Sequence, residues 1–449
     1  MTPSATPPLV ALGSRATPAG ESARARTAAA QDVAPGDIAV GVIIGRASEN
    51  FDFFVYGIAS ALVFPWVFFP FVDRLDGTLL AFGLFSFAFI VRPLGTLLGM
   101  SIQRRFGRGT KLTVALFILG SSTAGMALLP GYATDGWAAI AFLAVCRIGQ
   151  GLGQGASWDG LPSLLALNAP EGRRGWYAML GQLGAPIGFL VACGLFAYLW
   201  ANLSSADFLT WGWRYPFYSA FAINVVALFA RLRLVVTNEY ERSLNENELE
   251  PCSVRELFST QGFNIFVGAF ASLATYALFH IVTIFPLSWV KLYSHQVIGE
   301  FLSVELVGGA LAAIAMLASG LIADRIGRRK TLGLFAILIG VFSLASPWLL
   351  GGGVFAQDAF ILVGFVLLGL SYGQAAGAVT SNFLPHLRYT GAALTADFAW
   401  LIGAAFAPLV ALGLSAHFGL IAVTAYLLSG VACTLVALRT NRLVQQMRD

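Results

Sequence analysis

About twelve long apolar runs, parted by short polar breaks, constrain this chain more than anything else in it. They fall near residues 38–68, 78–102, 112–130, 136–166, 175–201, 212–236, 262–290, 298–322, 331–350, 356–384, 390–416 and 419–438. A helix that crosses a bilayer needs roughly 20 mostly apolar residues. Lipid offers the backbone no hydrogen bonds, so a chain of this kind can cross it only as helices or as a closed barrel, and runs of this length specify helices. Composition agrees: 57% of the 449 residues are hydrophobic, 11% are charged, and mean hydropathy is +0.75. A soluble domain carries roughly 25% charge. The expected fold is an all-α integral membrane protein. The polar stretch 237–257 divides it into a six-helix half at 37–236 and a second at 258–440. Residues 1–36 lack the apolar stretch of a signal peptide and read as a disordered cytoplasmic tail; 441–449 form a second cytoplasmic tail.

A short basic turn occurs twice. Arg104-Arg105-Phe106-Gly107-Arg108 and Asp324-Arg325-Ile326-Gly327-Arg328-Arg329-Lys330 each lie between two apolar runs, with their glycines 220 residues apart (327 − 107). The echo implies two pseudo-symmetric halves, the usual build of a secondary transporter. One set of loops carries Arg104, Arg105, Arg108, Lys111, Arg173, Arg174, Arg325, Arg328, Arg329, Lys330 and Arg388, whereas the other has little beyond Arg74 and Lys291. Positive loops stay in the cytoplasm, so the expectation is a multi-pass protein of the inner or plasma membrane with both termini cytoplasmic.

Function must come from polar groups at membrane depth, where a charge is costly unless it lines a cavity or has a partner. Arg46, Glu49 and Asp52 are spaced three apart in the first run and can share one helical face. Glu49 and Asp52 are candidate proton carriers, with an Arg46–Glu49 salt bridge as the structural alternative. Arg92, followed by Pro93, is a candidate carboxylate anchor because a guanidinium donates to two oxygens at once. Its alternative is an ion pair with Asp52 or Glu49, and the two roles can alternate.

The fourth run holds Arg147, Gln150, Trp158 and Asp159, with glycines at 149, 151, 153 and 155 that suit close helix packing. Asp159 is expected on the same helix. In the second half His280, Glu305, Gln374, Asn382 and Asp397 stand out; free histidine titrates near neutrality, which makes His280 a candidate sensor of the gradient, and Asp397 would add a negative charge or a proton site. Gln182 and Tyr276 complete the candidate substrate-binding set of Arg92, Asp52, Trp158, Asp159, His280 and Asp397. The proton-coupling candidates are Asp52, Glu49, Arg147 and Asp159.

Several stretches carry a family resemblance. Gly320-Leu321-Ile322-Ala323-Asp324-Arg325-Ile326-Gly327-Arg328-Arg329-Lys330 resembles the loop motif of the major facilitator superfamily, and Arg147-Ile148-Gly149-Gln150-Gly151-Leu152-Gly153 its fourth-helix motif. Glu49-Asn50-Phe51-Asp52-Phe53, Arg92-Pro93-Leu94-Gly95 and Arg388-Tyr389-Thr390-Gly391 resemble the metabolite:proton symporter branch. So do Pro130-Gly131-Tyr132, Gly172-Arg173-Arg174-Gly175 and Trp213-Arg214-Tyr215-Pro216-Phe217. The resemblance spans roughly residues 38 to 440 and implies the major facilitator fold, with uptake of a small organic acid or a zwitterionic osmolyte together with a proton. It ties the position of Arg147 to proton movement. It also implies that Arg105, Gly107, Arg108, Asp324, Arg325, Gly327, Arg328 and Arg329 form gating contacts that hold the outward-open state.

There are departures from the pattern. The branch reads Glu-Trp-Gly-Gly where this chain has Ser157-Trp158-Asp159-Gly160, and it has Asn at Asp397. In the first loop copy Arg104 stands where the second has Asp324, and Met100 where the second has Gly320.

The leading expectation is therefore a proton-coupled importer of a small carboxylate, working by alternating access as a monomer. The alternatives are symport of a zwitterion such as betaine or proline, and proton-driven efflux of a drug or metabolite. No nucleophile elbow, Walker-type loop or His/Cys/Asp metal cluster is present in the sequence, and the four cysteines lack metal spacing. An enzyme, a metal, a nucleic-acid partner and any cofactor beyond the proton gradient are not expected.

Overall fold

Each apolar run contains a long helix in the computed structural model, and no strand occurs among the described residues, which are 35–162, 165, 169–170, 172–235, 250–375 and 383–446. The two expected tails, most of the expected central loop and Asn382 lie outside them in whole or in part. Twelve long segments follow: α1 (Pro35–Leu62), α2 and α3 (74–106 and 108–128), α4 (Trp137–Ala156), α5 (Arg174–Asn202), α6 (Tyr215–Val235), α7 (Val254–Tyr293), α8 (Ile298–Ile326), α9 (Arg328–Gly351), α10 (Val354–Ala375), α11 (Pro385–Phe418) and α12 (Ile421–Gln446). The connections at 63–73, 129–136 and 203–214 meet on one face, where Phe71 packs on Tyr132 and Trp137 and Arg214 donates to the Leu129 carbonyl; the basic loops lie at the other ends of the segments.

The breaks have local causes. Helix continues from α2 into α3 except at Gly107, which has φ 83°, and α8 passes to α9 through Gly327 at φ 84°. The repeated basic turn is thus one backbone conformation made twice. Pro65, Pro286 and Pro408 each start a new helical piece, because proline cannot continue the preceding turn's hydrogen bonds. α7 is broken at Ser272 and Ile284 for this chain of reasons only at the second site; the break at Ser272 has no proline.

One expectation is corrected. The fourth run does not stay helical to residue 166: α4 ends at Ala156, Ser157 caps it, and Gly160 turns the chain at φ 75°. Trp158 and Asp159 are therefore not on α4, and Asp159 gets its direction from a turn rather than from a helical face. The run hid this boundary because the turn is only four residues long and Leu161 and Pro162 resume the apolar stretch directly after it.

Segments α1–α6 pack with one another and α7–α12 do likewise; α5 meets α8, α2 meets α11 and α1 meets α7 across the division. Within the first group the glycines of α4 press on α2. A methyl on Gly155 would collide with the Arg92 carbonyl, and one on Gly151 with that of Ala88. This contact sets α2, and with it Arg92, rigidly against α4.

Candidate functional site

Arg92 on α2 and Asp397 on α11 form a buried ion pair of 2.8 Å between the two groups. Thr96, one turn along α2, donates to the other Asp397 oxygen at 2.5 Å and also reaches the Gly155 carbonyl at 3.2 Å. Both oxygens of Asp397 are thus held by the opposite group of helices. The Arg92 guanidinium lies 5.9 Å from the centre of the Trp400 ring. The partner anticipated for Arg92 was Asp52 or Glu49; the structure supplies Asp397 instead.

A small cavity opens beside this pair. Arg46, Glu49, Asn50 and Phe53 of α1 line it, with Phe89 and Arg92 of α2, Gln154 of α4, Tyr372 of α10 and Trp400 of α11. A second small cavity shares Tyr372 and is otherwise bounded by such residues as Phe54, Phe189, Phe279, Ala312 and Phe365. One chamber is charged and its neighbour apolar, and a single tyrosine belongs to both.

Glu49 is fully engaged. It accepts from Arg46 at 2.9 Å, from Arg231 of α6 at 2.7 Å and from Ser157 at 2.8 Å. Arg231 also donates to Asp159 at 2.7 Å and to the Ser157 carbonyl at 2.5 Å. Asp159 uses its second oxygen to accept from Leu161 N at 3.0 Å. Arg231 was missed in the sequence because a basic residue near the basic end of an apolar run reads as a topology signal.

The face expected to unite Arg46, Glu49 and Asp52 divides. Arg46 and Glu49 meet the cavity, whereas Asp52 turns toward α6, accepting from Asn224 at 2.7 Å, and its Oδ1 has no hydrogen-bond partner. Asn224 accepts in turn from Ser48 at 3.0 Å. Arg147 is completely buried and donates twice to the Phe85 carbonyl, at 3.1 and 2.9 Å, and to Gln150 at 2.7 Å, while Tyr56 lies 4.2 Å beneath it. Among the described residues it has no carboxylate at ion-pair distance.

Of the expected substrate-binding residues, Arg92 lines the charged cavity and Asp397 holds it; Asp52, Trp158, Asp159, Gln182, Tyr276 and His280 do not line it. Trp158 stacks under Arg46 at 5.4 Å. Gln182 is buried in the turn that interrupts α5. Tyr276 packs on Trp400 with ring centres 4.9 Å apart. His280 stacks on Phe53 at 5.0 Å, crossing the division between the groups; Nδ1 is 3.4 Å from the Thr283 hydroxyl and Nε2 is unbonded. Asn50, Gln154, Tyr372 and Trp400 carry no charge and so gave no signal against an apolar background.

Both faces are bridged. On the basic face Asp324 accepts from the backbone N–H groups of Gly175 (2.7 Å) and Trp176 (3.3 Å) at the start of α5. The first copy of the turn makes a different bridge: Lys111 donates to Gln103 at 2.7 Å and meets the Tyr389 hydroxyl of α11 at 2.9 Å. Arg105 and Arg325 are exposed and Arg328 is half-buried. On the opposite face the Lys291 ammonium lies over Trp66 at 5.2 Å and Trp200 at 4.9 Å, so a second-group cation is clasped by first-group rings.

Two six-helix groups enclosing an ion-paired cavity, bridged at both mouths, define a membrane transporter of the secondary type. Comparison with known proteins agrees: the model of the family described as Major Facilitator Superfamily matches residues 137–408. The chain is 35% identical to a putative metabolite transport protein of Haemophilus influenzae, over 89% of this chain and 92% of that one. It is 35% identical to the inner membrane metabolite transport protein YhjE of Escherichia coli, with the same coverage. It is 30% identical to the shikimate transporter of Escherichia coli, over 87% of this chain and 91% of that one. Its fold is similar to that of a D-xylose-proton symporter, with TM-score 0.67 and 18% identity over 89% of this chain and 96% of that one. The chain belongs to the major facilitator superfamily, a family of transporters and not of enzymes, as the sequence resemblance implied.

Proposed function

We propose that the protein is a proton-coupled importer of a small monocarboxylate with an apolar body. The Arg92–Asp397 pair between the two groups carries this reading. A substrate carboxylate competes with Asp397 for the guanidinium. If Asp397 is displaced as an anion, an unpaired buried charge remains, which is costly. If a proton joins Asp397 as the carboxylate joins Arg92, the site's net charge is unchanged. One anion and one proton then enter together, and the link between α2 and α11 is released at the same moment. Asp52, with one carboxyl oxygen unbonded beside α6, is the second candidate carrier of the proton. The basic loops are assigned to the cytoplasm, so the Lys291 bridge faces outward. Several relatives support the class by name: one is a shikimate transporter, another a citrate-proton symporter, and a third a proline/betaine transporter.

The apolar chamber beyond Tyr372 favours a substrate whose far end is hydrocarbon over a tricarboxylate. A betaine-like zwitterion is the second reading: its carboxylate would take Arg92 and its cationic end the Asp397 carboxylate so released.

Thermal unfolding of the purified protein against carboxylates, betaines and amino acids tests the reading. A ligand that binds only the folded state raises the melting temperature with the logarithm of its concentration. Aromatic and branched monocarboxylates are expected to do so, and Arg92→Lys, which folds but loses the two-oxygen fork, is expected to weaken them about tenfold or more. Equal stabilisation of Arg92→Lys would remove the anchor; stabilisation by betaines alone would replace the substrate class.

A further inference from the structure

Glu305 sits within two turns of the start of α8, just after Lys291 at the end of α7, on the seam where α8 meets α5. It is fully buried. Its Oε1 has no hydrogen-bond partner, and its Oε2 has only the Cys193 thiol of α5 at 3.9 Å. No Lys, Arg or His stands at ion-pair distance among the described residues. The charged groups on the neighbouring segments are occupied or remote. Lys291 of α7 is clasped by Trp66 and Trp200, Asp358 of α10 accepts from Gln296 at 2.7 Å, and the arginines of α9 lie at the other face. The seam is tight: a methyl on Gly309, one turn along, would stand 2.9 Å from Phe189.

An ionised carboxylate in such a place would have no cation and only one long thiol contact, whereas the neutral acid avoids the much larger cost of an unpaired buried charge. We propose that Glu305 is a proton-binding site, and that α5 and α8 close at this face only around its protonated form. Water at the open mouth supplies the proton, which forms the O–H bond on the carboxylate, and the same water takes it back when the seam opens. The site is distinct from Arg92–Asp397, which lies on the other seam. The inference rests on the transporter reading in one respect, that the two groups separate at this face.

Infrared difference spectra of the substrate-free protein in lipid nanodiscs test the protonation directly. Wild type minus Glu305→Gln is expected to show the carbonyl stretch of a protonated carboxylic acid at neutral pH. A spectrum with no such band means that Glu305 is ionised and overturns the proposal. Spin labels at Asn202→Cys and Val297→Cys, in a background with Cys146, Cys252 and Cys433 replaced by Ser, read the opening. Raising the pH is expected to lengthen this distance in wild type and in Glu305→Asp but not in Glu305→Gln. A wild-type distance indifferent to pH overturns the proposal even where Glu305→Gln fails to fold. Failure of every carboxylate to bind would sink the substrate assignment and leave the infrared band in place.

Discussion

Arg231 shows how much of this site depends on one side chain. It donates to Glu49, Asp159 and the Ser157 carbonyl, all within the first group of helices. Removing one partner of a buried ionic cluster typically costs about 3–5 kcal/mol, because the opposite charges stay buried. Arg231→Gln is expected to lower the melting temperature sharply, and Arg231→Gln combined with Glu49→Gln and Asp159→Asn to recover much of the loss. If the triple variant is no more stable than the single one, the cluster is not an electrostatic unit. At this scale the sequence was informative about isolated charges and silent about their partners. Arg92 and Asp397 were each visible as charges in apolar runs. Nothing local in either run says that they meet, since their contact depends on how two distant helices are docked. The neutral lining residues Asn50, Tyr372 and Trp400 were invisible for a related reason: such side chains are common in membrane helices that bind nothing.

The helices themselves were legible, because apolar length is the one property a bilayer demands of a segment. Their ends were less so. The α4 boundary at Ala156 lies inside an apolar run, and only the Ser157-Trp158-Asp159-Gly160 turn marks it. The repeated basic turn was legible in full. Gly107 and Gly327 share a positive φ with extended ψ, a conformation that other residues reach at a cost of about 1–3 kcal/mol. No atom lies within 4 Å of a Cβ placed on either glycine, so the demand is conformational and not one of space. Gly107→Ala and Gly327→Ala should therefore destabilise by similar amounts in thermal unfolding. A loss at one position only would mean that the two turns are not equivalent.

Across the whole molecule the duplication is imperfect where the two groups meet. Asp324 reaches α5 through the backbone, while the first copy has Arg104 at the matching position and bridges to α11 through Lys111, Gln103 and Tyr389. Asp324→Asn is expected to increase the accessibility of cysteines placed at the basic face by several-fold, and Arg104→Gln to leave it nearly unchanged; equal effects would mean that these loops chiefly set orientation. The form of the Asp324 contact also governs which changes can undo it. Its donors at Gly175 and Trp176 are main-chain N–H groups, which every amino acid except proline possesses. Sequence drift at residue 176 cannot take its N–H away short of Trp176→Pro, so the mutational vulnerability of this bridge falls on Asp324 and on Gly175, where a methyl would stand 2.9 Å from the Asp324 carboxylate. A screen for variants that leak at the basic face should accordingly recover many different replacements of Asp324 and of Gly175 and, at position 176, chiefly proline.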